Sequence, residues 1–268
     1  MEIRNLVIDR PLRGIMLSPS TNEVWWSINQ IETPALNMTA ETLNAVDATG
    51  VAIMSFDRSK SGEFTGSNSI LDLGLLAAQS GSELTESSAS RSVICPCFEE
   101  IEYPATGTEV TLKHTPVGTA AEGIGFIYKL NGDGSVGKKF SYAAAAAADK
   151  FTFTDTTLSL PTDASLKGSR MLVIYDYAAD ETDKALAITN NAVDFPKTGK
   201  FVLEVLTYET CDPETKYFAY LIFPQAKLDS NYSLDFTTEG KHPFTLKLMQ
   251  SYCDYEKKLF SFVVPDAE

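Results

Sequence analysis

One stretch of this chain, residues 69–81 (Ser-Ile-Leu-Asp-Leu-Gly-Leu-Leu-Ala-Ala-Gln-Ser-Gly), carries a helical pattern, and nearly everything else reads as strand after strand. A mainly β chain with a single helix has to bury its strands face to face, and the helix must pack on the result. The local signals predict a helix over 69–80. Ser69 reads as its N-cap, Asp72 three residues on completes a capping-box pattern, and Gly81 is a natural residue just past the end. Ile70, Leu73 and Ala77 share one face, with Leu71, Leu75 and Ala78 close beside it. A helix apolar over so much of its circumference is sunk in a core or sandwiched between partners, so part of it is expected to be covered by another subunit.

The helix follows a polar, charged stretch, residues 57–66, which reads as a loop carrying Asp57, Arg58, Lys60, Glu63 and Phe64. Both signs of charge there suit a contact with a neighbouring subunit. The loop follows an alternating strand over 51–56. Residues 24–31 read as an early strand, while the polar run 39–46 reads as an extended or loosely ordered arm. From about residue 98 short strands recur at 108–113, 123–130, 136–142, 150–154, 157–160 and 170–177. Asn131-Gly-Asp-Gly134 between two of them is a strong hairpin signal, and the later acidic ligands of a calcium loop are missing. The spacing of strands and turns over 98–195 is that of an immunoglobulin-like sandwich. Both tryptophans, Trp25 and Trp26, lie outside it, so only the architecture is suggested. The alanine run 143–148 is too short to hold a helix alone and reads as a loop or single turn. Long strands resume at 201–206, 217–223, 233–237, 244–249 and 259–264.

With 268 residues, 44% of them apolar, the chain can bury a sizeable core as one large or two ordinary domains. A formal charge of −14 argues against specific binding of nucleic acid through its phosphates, yet it suits a surface past which DNA must slide without sticking. No secretory leader is visible at the first residues, and no apolar run approaches a membrane span, so no membrane partner is expected.

Catalytic apparatus is hard to find. His114 and His242 are the only histidines, and neither sits in a metal-ligand spacing or beside a nucleophile elbow. Cys95-Pro-Cys97 is not the spacing of a zinc ribbon. These two thiols would point the same way from a strand and could meet Cys211 or Cys253, but four reduced, mostly buried cysteines are the plainer expectation. Glu99, Glu100 and Glu102, and likewise Asp180, Glu181 and Asp183, could pair for glycoside hydrolysis, but charge runs are ordinarily solvated faces. Neither catalytic residues, cofactor nor metal is expected.

The chain resembles the tail-tube or major tail proteins of long-tailed bacteriophages. The segments that carry the resemblance are 31–39, 50–60 and 63–81 running into the helix, then Phe195-Pro-Lys-Thr-Gly199 and Phe223-Pro-Gln-Ala-Lys-Leu228 with the strands that follow to Val264. The resemblance implies a β-sandwich or barrel core with one packed helix, built from residues 1–97 and 196–268, and an inserted immunoglobulin-like domain over 98–195. It implies a hexameric ring stacked into a hollow tube, joined to other tail proteins, through which DNA passes without specific binding at genome ejection. Such a protein is made in the host cytoplasm and ends in the virion. On this reading Asp57, Arg58, Lys60, Glu63, Phe64, Ile70, Leu71 and Leu75 are candidate assembly residues. The alternative is another virion or surface structural protein, a decoration, fibre or adhesin module.

Overall fold

The structure is a computed structural model that describes residues 5–210, 214–251 and 255–265. The chain divides into two compact units, one formed by residues 1–84 and 188–268 and the other by the intervening 85–187. The first unit opens with β1 (Leu6–Leu17), which turns Gly14 and Met16 inward. Pro11, which has no N–H to give a ladder, stands at a register shift in this strand. β2 (Val24–Ile28) runs back beside β1 with Trp26 and Ile28 inward. Only Asn29 and Gln30 separate it from β3 (Ile31–Val46), which pairs antiparallel with β4 (Ala52–Asn68).

Two expectations change here. Residues 39–46 are regular strand, and the charged stretch 57–66 is not a loop but part of β4, because all of its residues except Ser59 and Lys60 have a cross-strand partner. The helix, α1 (Leu73–Gln79), is also shorter than the apolar pattern suggested. The Ser69 N–H is taken by the Gln30 carbonyl, and Asp72 is the N-cap instead, its Oδ1 accepting from Leu75 N at 2.7 Å. At the other end Gly81 has φ +68, Gly81 N donates to Ala78 O and Ser82 N to Ala77 O. That is the expected glycine stop, satisfying two orphan carbonyls.

The second unit contains β5 (Thr85–Glu86), β6 (Val93–Glu102), β7 (Glu109–Thr111), β8 (Phe126–Leu130), β9 (Val136–Tyr142), β10 (Lys150–Thr154), β11 (Thr157–Ser159), β12 (Arg170–Ala179) and β13 (Leu186–Ala187). Seven of these form a sheet in the order β6-β12-β8-β9-β10-β11-β7, with β9 and β10 parallel. Its core holds Ile124, Ile127, Phe140, Phe151, Leu158, Met171 and Val173. The β8–β9 turn is the hairpin expected at Asn131–Gly134, with Gly134 at φ +83 and Asp133 Oδ1 accepting from Ser135 N. Residues 143–148 are loop.

The first unit resumes with β14 (Thr198–Glu209), β15 (Lys216–Leu228), β16 (His242–Leu248) and β17 (Ser261–Val263). The strand expected at 233–237 is irregular coil. The sheet runs β2-β1-β14-β15-β16-β4-β3, and β17 pairs with the other part of β15. Its two end strands, β2 and β3, are joined by two residues, so the sheet must curl until its ends meet. The fold is mainly β with one packed helix. Phe64 lies at the centre of the core, its ring 5.8 Å from Phe201, 5.5 Å from Phe223 and 6.1 Å from Phe244. The curl brings rings onto backbone: a Cβ at Gly14 would stand 2.6 Å from Phe201 Cζ, and one at Gly66 2.9 Å from Phe244 Cζ.

Candidate assembly site

The inner halves of β3 and β4 belong to the curled sheet, but the outer halves leave it. Every residue from 39 to 61 is exposed, and β4 pairs with β16 only over Gly62–Asn68. The departure point is a bulge: Thr39 pairs Ser61 and Glu41 pairs Arg58, so Ser59 and Lys60 together oppose Ala40, with Ser59 at φ 50. Beyond it the ribbon extends over Cα pairs from Glu41–Arg58 to Val46–Ala52. At the tip Asp47 Oδ1 accepts from Thr49 N, Thr49 Oγ1 and Val51 N, and Gly50 takes φ +84. These hydrogen bonds, the one from Thr49 Oγ1 first, hold the Asp47 carboxyl below its ordinary pKa.

This arm is two-faced. Directly opposed residues share a face, and on one face Thr42 Oγ1 donates to Asp57 Oδ1 at 2.8 Å and Ser55 Oγ to Asn44 Oδ1 at 2.6 Å. On the other, Leu43 opposes Phe56 and Ala45 opposes Met54, with Glu41 and Arg58 at the base. Leu43, Met54 and Phe56 are 42%, 56% and 45% exposed. Past the register shift between Glu32 and Ala35, the β3 residues packed on the core are Leu36 and Met38. The two-residue alternation continues that side into Thr42 and Asn44, so the apolar face lies on the side away from its own core. An isolated two-stranded ribbon is marginal in water. Here it also presents its apolar side to solvent.

The same unit has a groove beside α1. A cavity of ≈ 390 Å³ is lined by Val24, Trp25, Trp26, Gly74, Ala77, Ala78, Leu84 and Lys197, among others. Val24, Trp25 and Leu84 are exposed apolar residues at this surface. Lys197 Nζ lies 6.0 Å from the Trp25 ring and 3.5 Å from Glu83 Oε1. The helix wall is fixed from behind by His242, 1% exposed, whose Nε2 meets Gln79 Oε1 at 2.7 Å and whose Nδ1 accepts from Asp72 N at 3.4 Å. Gln79 Nε2 also donates to Pro243 O. Burial holds the His242 imidazole below its ordinary pKa, with the Asp72 carboxylate opposing weakly.

The residues singled out from the sequence fall in three places. Asp57 lies on the polar arm face, Arg58 at the base of the apolar one, and Lys60 in the bulge. Glu63 is exposed, between Asn37 and Lys247. Ile70 and Leu71 are exposed on the approach to α1, whereas Phe64 and Leu75, 1% and 0% exposed, are in the core of their own subunit. Sequence reasoning missed Leu43, Met54 and Phe56 as one surface. Pairing 39–46 with 52–61 through the Asp47–Gly50 turn would have brought them together.

Elsewhere, Glu99 departs from the solvated face expected of its run. It is 4% exposed and accepts from Tyr175 Oη at 2.8 Å and Lys113 N at 3.1 Å. His114 stacks on Tyr177 with ring centroids 3.8 Å apart. Cys95 and Cys97 are free and half-buried, while Cys211 and Cys253 lie outside the described residues. Among the described residues no group of three or more His, Cys, Asp or Glu is placed to hold a metal, and no helix is long and apolar enough to cross a membrane.

No curated protein matches this chain significantly. The model of the YomU/Tube protein family matches residues 13–256, and the chain belongs to that family, in agreement with its resemblance to bacteriophage tail-tube proteins.

Proposed function

We propose that this member of the tube family is a virion structural protein whose copies join into rings, six to a ring, that stack into a phage tail tube through which DNA passes. The observation that carries the reading is the β3–β4 arm, a regular ribbon that leaves its own sheet and turns an apolar face away from its own core. A surface of that kind is stable only when covered, and family membership supports a second copy as the cover. The formal charge of −14 suits a conduit, since an acidic wall repels phosphates. On this reading the second unit, an immunoglobulin-like decoration domain, interrupts the tube-forming unit in sequence without supplying its arm or helix. Negative-stain microscopy of the purified protein tests the proposal. Rings or tubes of uniform diameter are expected, and a particle that stays monomeric by light scattering at all concentrations refutes it.

A further inference from the structure

We propose that the apolar face of the arm seats in the groove beside α1 of a second copy of this chain. This rests on the assembly reading above and goes further, naming the surface that receives the arm. The donor face is Leu43, Ala45, Met54 and Phe56, which alternation places opposite to the side occupied by its own core. The same residues are exposed, so the arm does not fill the groove of its own subunit.

The acceptor matches in chemistry and size. Its walls are Trp25, Ala77, Ala78 and Leu84, and its ≈ 390 Å³ lies within the roughly 300–1,000 Å³ that holds a drug-sized ligand, room for Phe56 and Met54 together. Small residues on the helix, Gly74, Ala77 and Ala78, leave that space open. Charge is complementary as well. Glu41 and Arg58 oppose each other at the base of the donor face, and Glu83 and Lys197 pair at the acceptor, so docking lets Arg58 meet Glu83 and Glu41 meet Lys197.

Arm and groove are different surfaces of one chain, so every copy offers both. That is a heterologous contact, which closes into rings or extends into filaments rather than stopping at a dimer. A ribbon of six residue pairs is about 20 Å long at ~3.3 Å per residue. One face of it is far below the ~800 Å² per partner of a stable pair. The contact therefore holds through repetition around an assembly, and an isolated pair of subunits should dissociate readily.

The full chain carries its own probe, because its only two tryptophans, Trp25 and Trp26, both line the groove. In a Trp26→Phe variant the emission of Trp25, 37% exposed, reports the groove alone. On assembly, the emission should move to shorter wavelength and iodide quenching should fall several-fold. A photo-reactive phenylalanine analogue at position 54 of the otherwise unaltered chain supplies a second reading that leaves the tryptophans in place. In mixtures of isotopically light and heavy protein it should cross-link between copies to the segments holding residues 24–28 or 73–84. Assembled particles in which Trp25 stays as quenchable as in the monomer overturn this proposal and leave the tube reading standing. So do cross-links that fall within one copy or on residues 85–187. A chain that never assembles overturns both.

Discussion

Two phenylalanines eight residues apart on β4 should behave in opposite ways when truncated. Phe64 is 1% exposed, and three other rings stand within 6.1 Å of its centroid. Phe64→Ala removes a fully buried ring and leaves a cavity that the curled sheet cannot close. The loss is about 3–5 kcal/mol, a large part of the ~5–15 kcal/mol by which a domain is folded. Phe56 is 45% exposed, so only about half of its transfer free energy is realised within the subunit. Phe56→Ala should cost the monomer about 1 kcal/mol or less. Its effect should appear instead in assembly. Urea unfolding of dissociated subunits, followed by far-ultraviolet circular dichroism, gives the first quantity, and sedimentation velocity gives the second. The reasoning fails if Phe64→Ala leaves the urea midpoint unmoved. It fails equally if Phe56→Ala lowers the midpoint as much as Phe64→Ala while assembly persists.

Other outcomes follow from the same packing. Gly14→Ala would put a Cβ 2.6 Å from the Phe201 ring, and the overpacking should cost about 1–3 kcal/mol in the urea midpoint. Asp72→Ala removes the side chain that caps Leu75 N, with an expected loss of ~1 kcal/mol and earlier amide exchange in α1. His242, held neutral by burial, has its pKa lowered in the fold. The unfolded chain therefore takes up this proton first, and stability should be lost as pH falls from about 6.5, the unperturbed imidazole value. Urea midpoints at pH 7.5 and 5.5 should differ in the wild type and converge in His242→Gln. The lowered carboxylates Asp163 and Asp229 act in a separate window, below the ordinary aspartate value of 3.8.

The sequence carried the strand content because alternation and hairpin turns are local: Asn131–Gly134 and Gly81 each took the backbone their chemistry demands. Three features were not local. β1 is not legible in the sequence, because its alternation is interrupted by shifts around Arg10 and Pro11, and its inward positions are filled by Gly14 and Met16 rather than by a continuous apolar series. The start of α1 moved from Ser69 to Asp72, since Ser69 N is claimed by Gln30 across a corner that no local pattern shows. The polar stretches 39–46 and 57–66 looked like arm and loop by composition, yet each supplies the partner that makes the other a strand. Among the candidate assembly residues, the charged Asp57 and Arg58 lie on the ribbon. Hydrophobicity did not separate Phe64, which faces the core, from Phe56, which faces solvent. Eight residues apart, they would share a face by simple alternation; the bulge at Ser59 and Lys60 between them shifts the parity and sets them on opposite sides.

The most direct test of the account is sedimentation velocity of the wild-type chain beside a variant with Leu43, Met54 and Phe56 all changed to serine. All three are exposed, and the polar cross-strand bonds of Thr42 with Asp57 and Asn44 with Ser55 remain in the variant. The account predicts large assemblies for the wild type and a folded monomer for the variant, with a urea midpoint lowered by less than Phe64→Ala lowers it. A variant that assembles as the wild type does would contradict it.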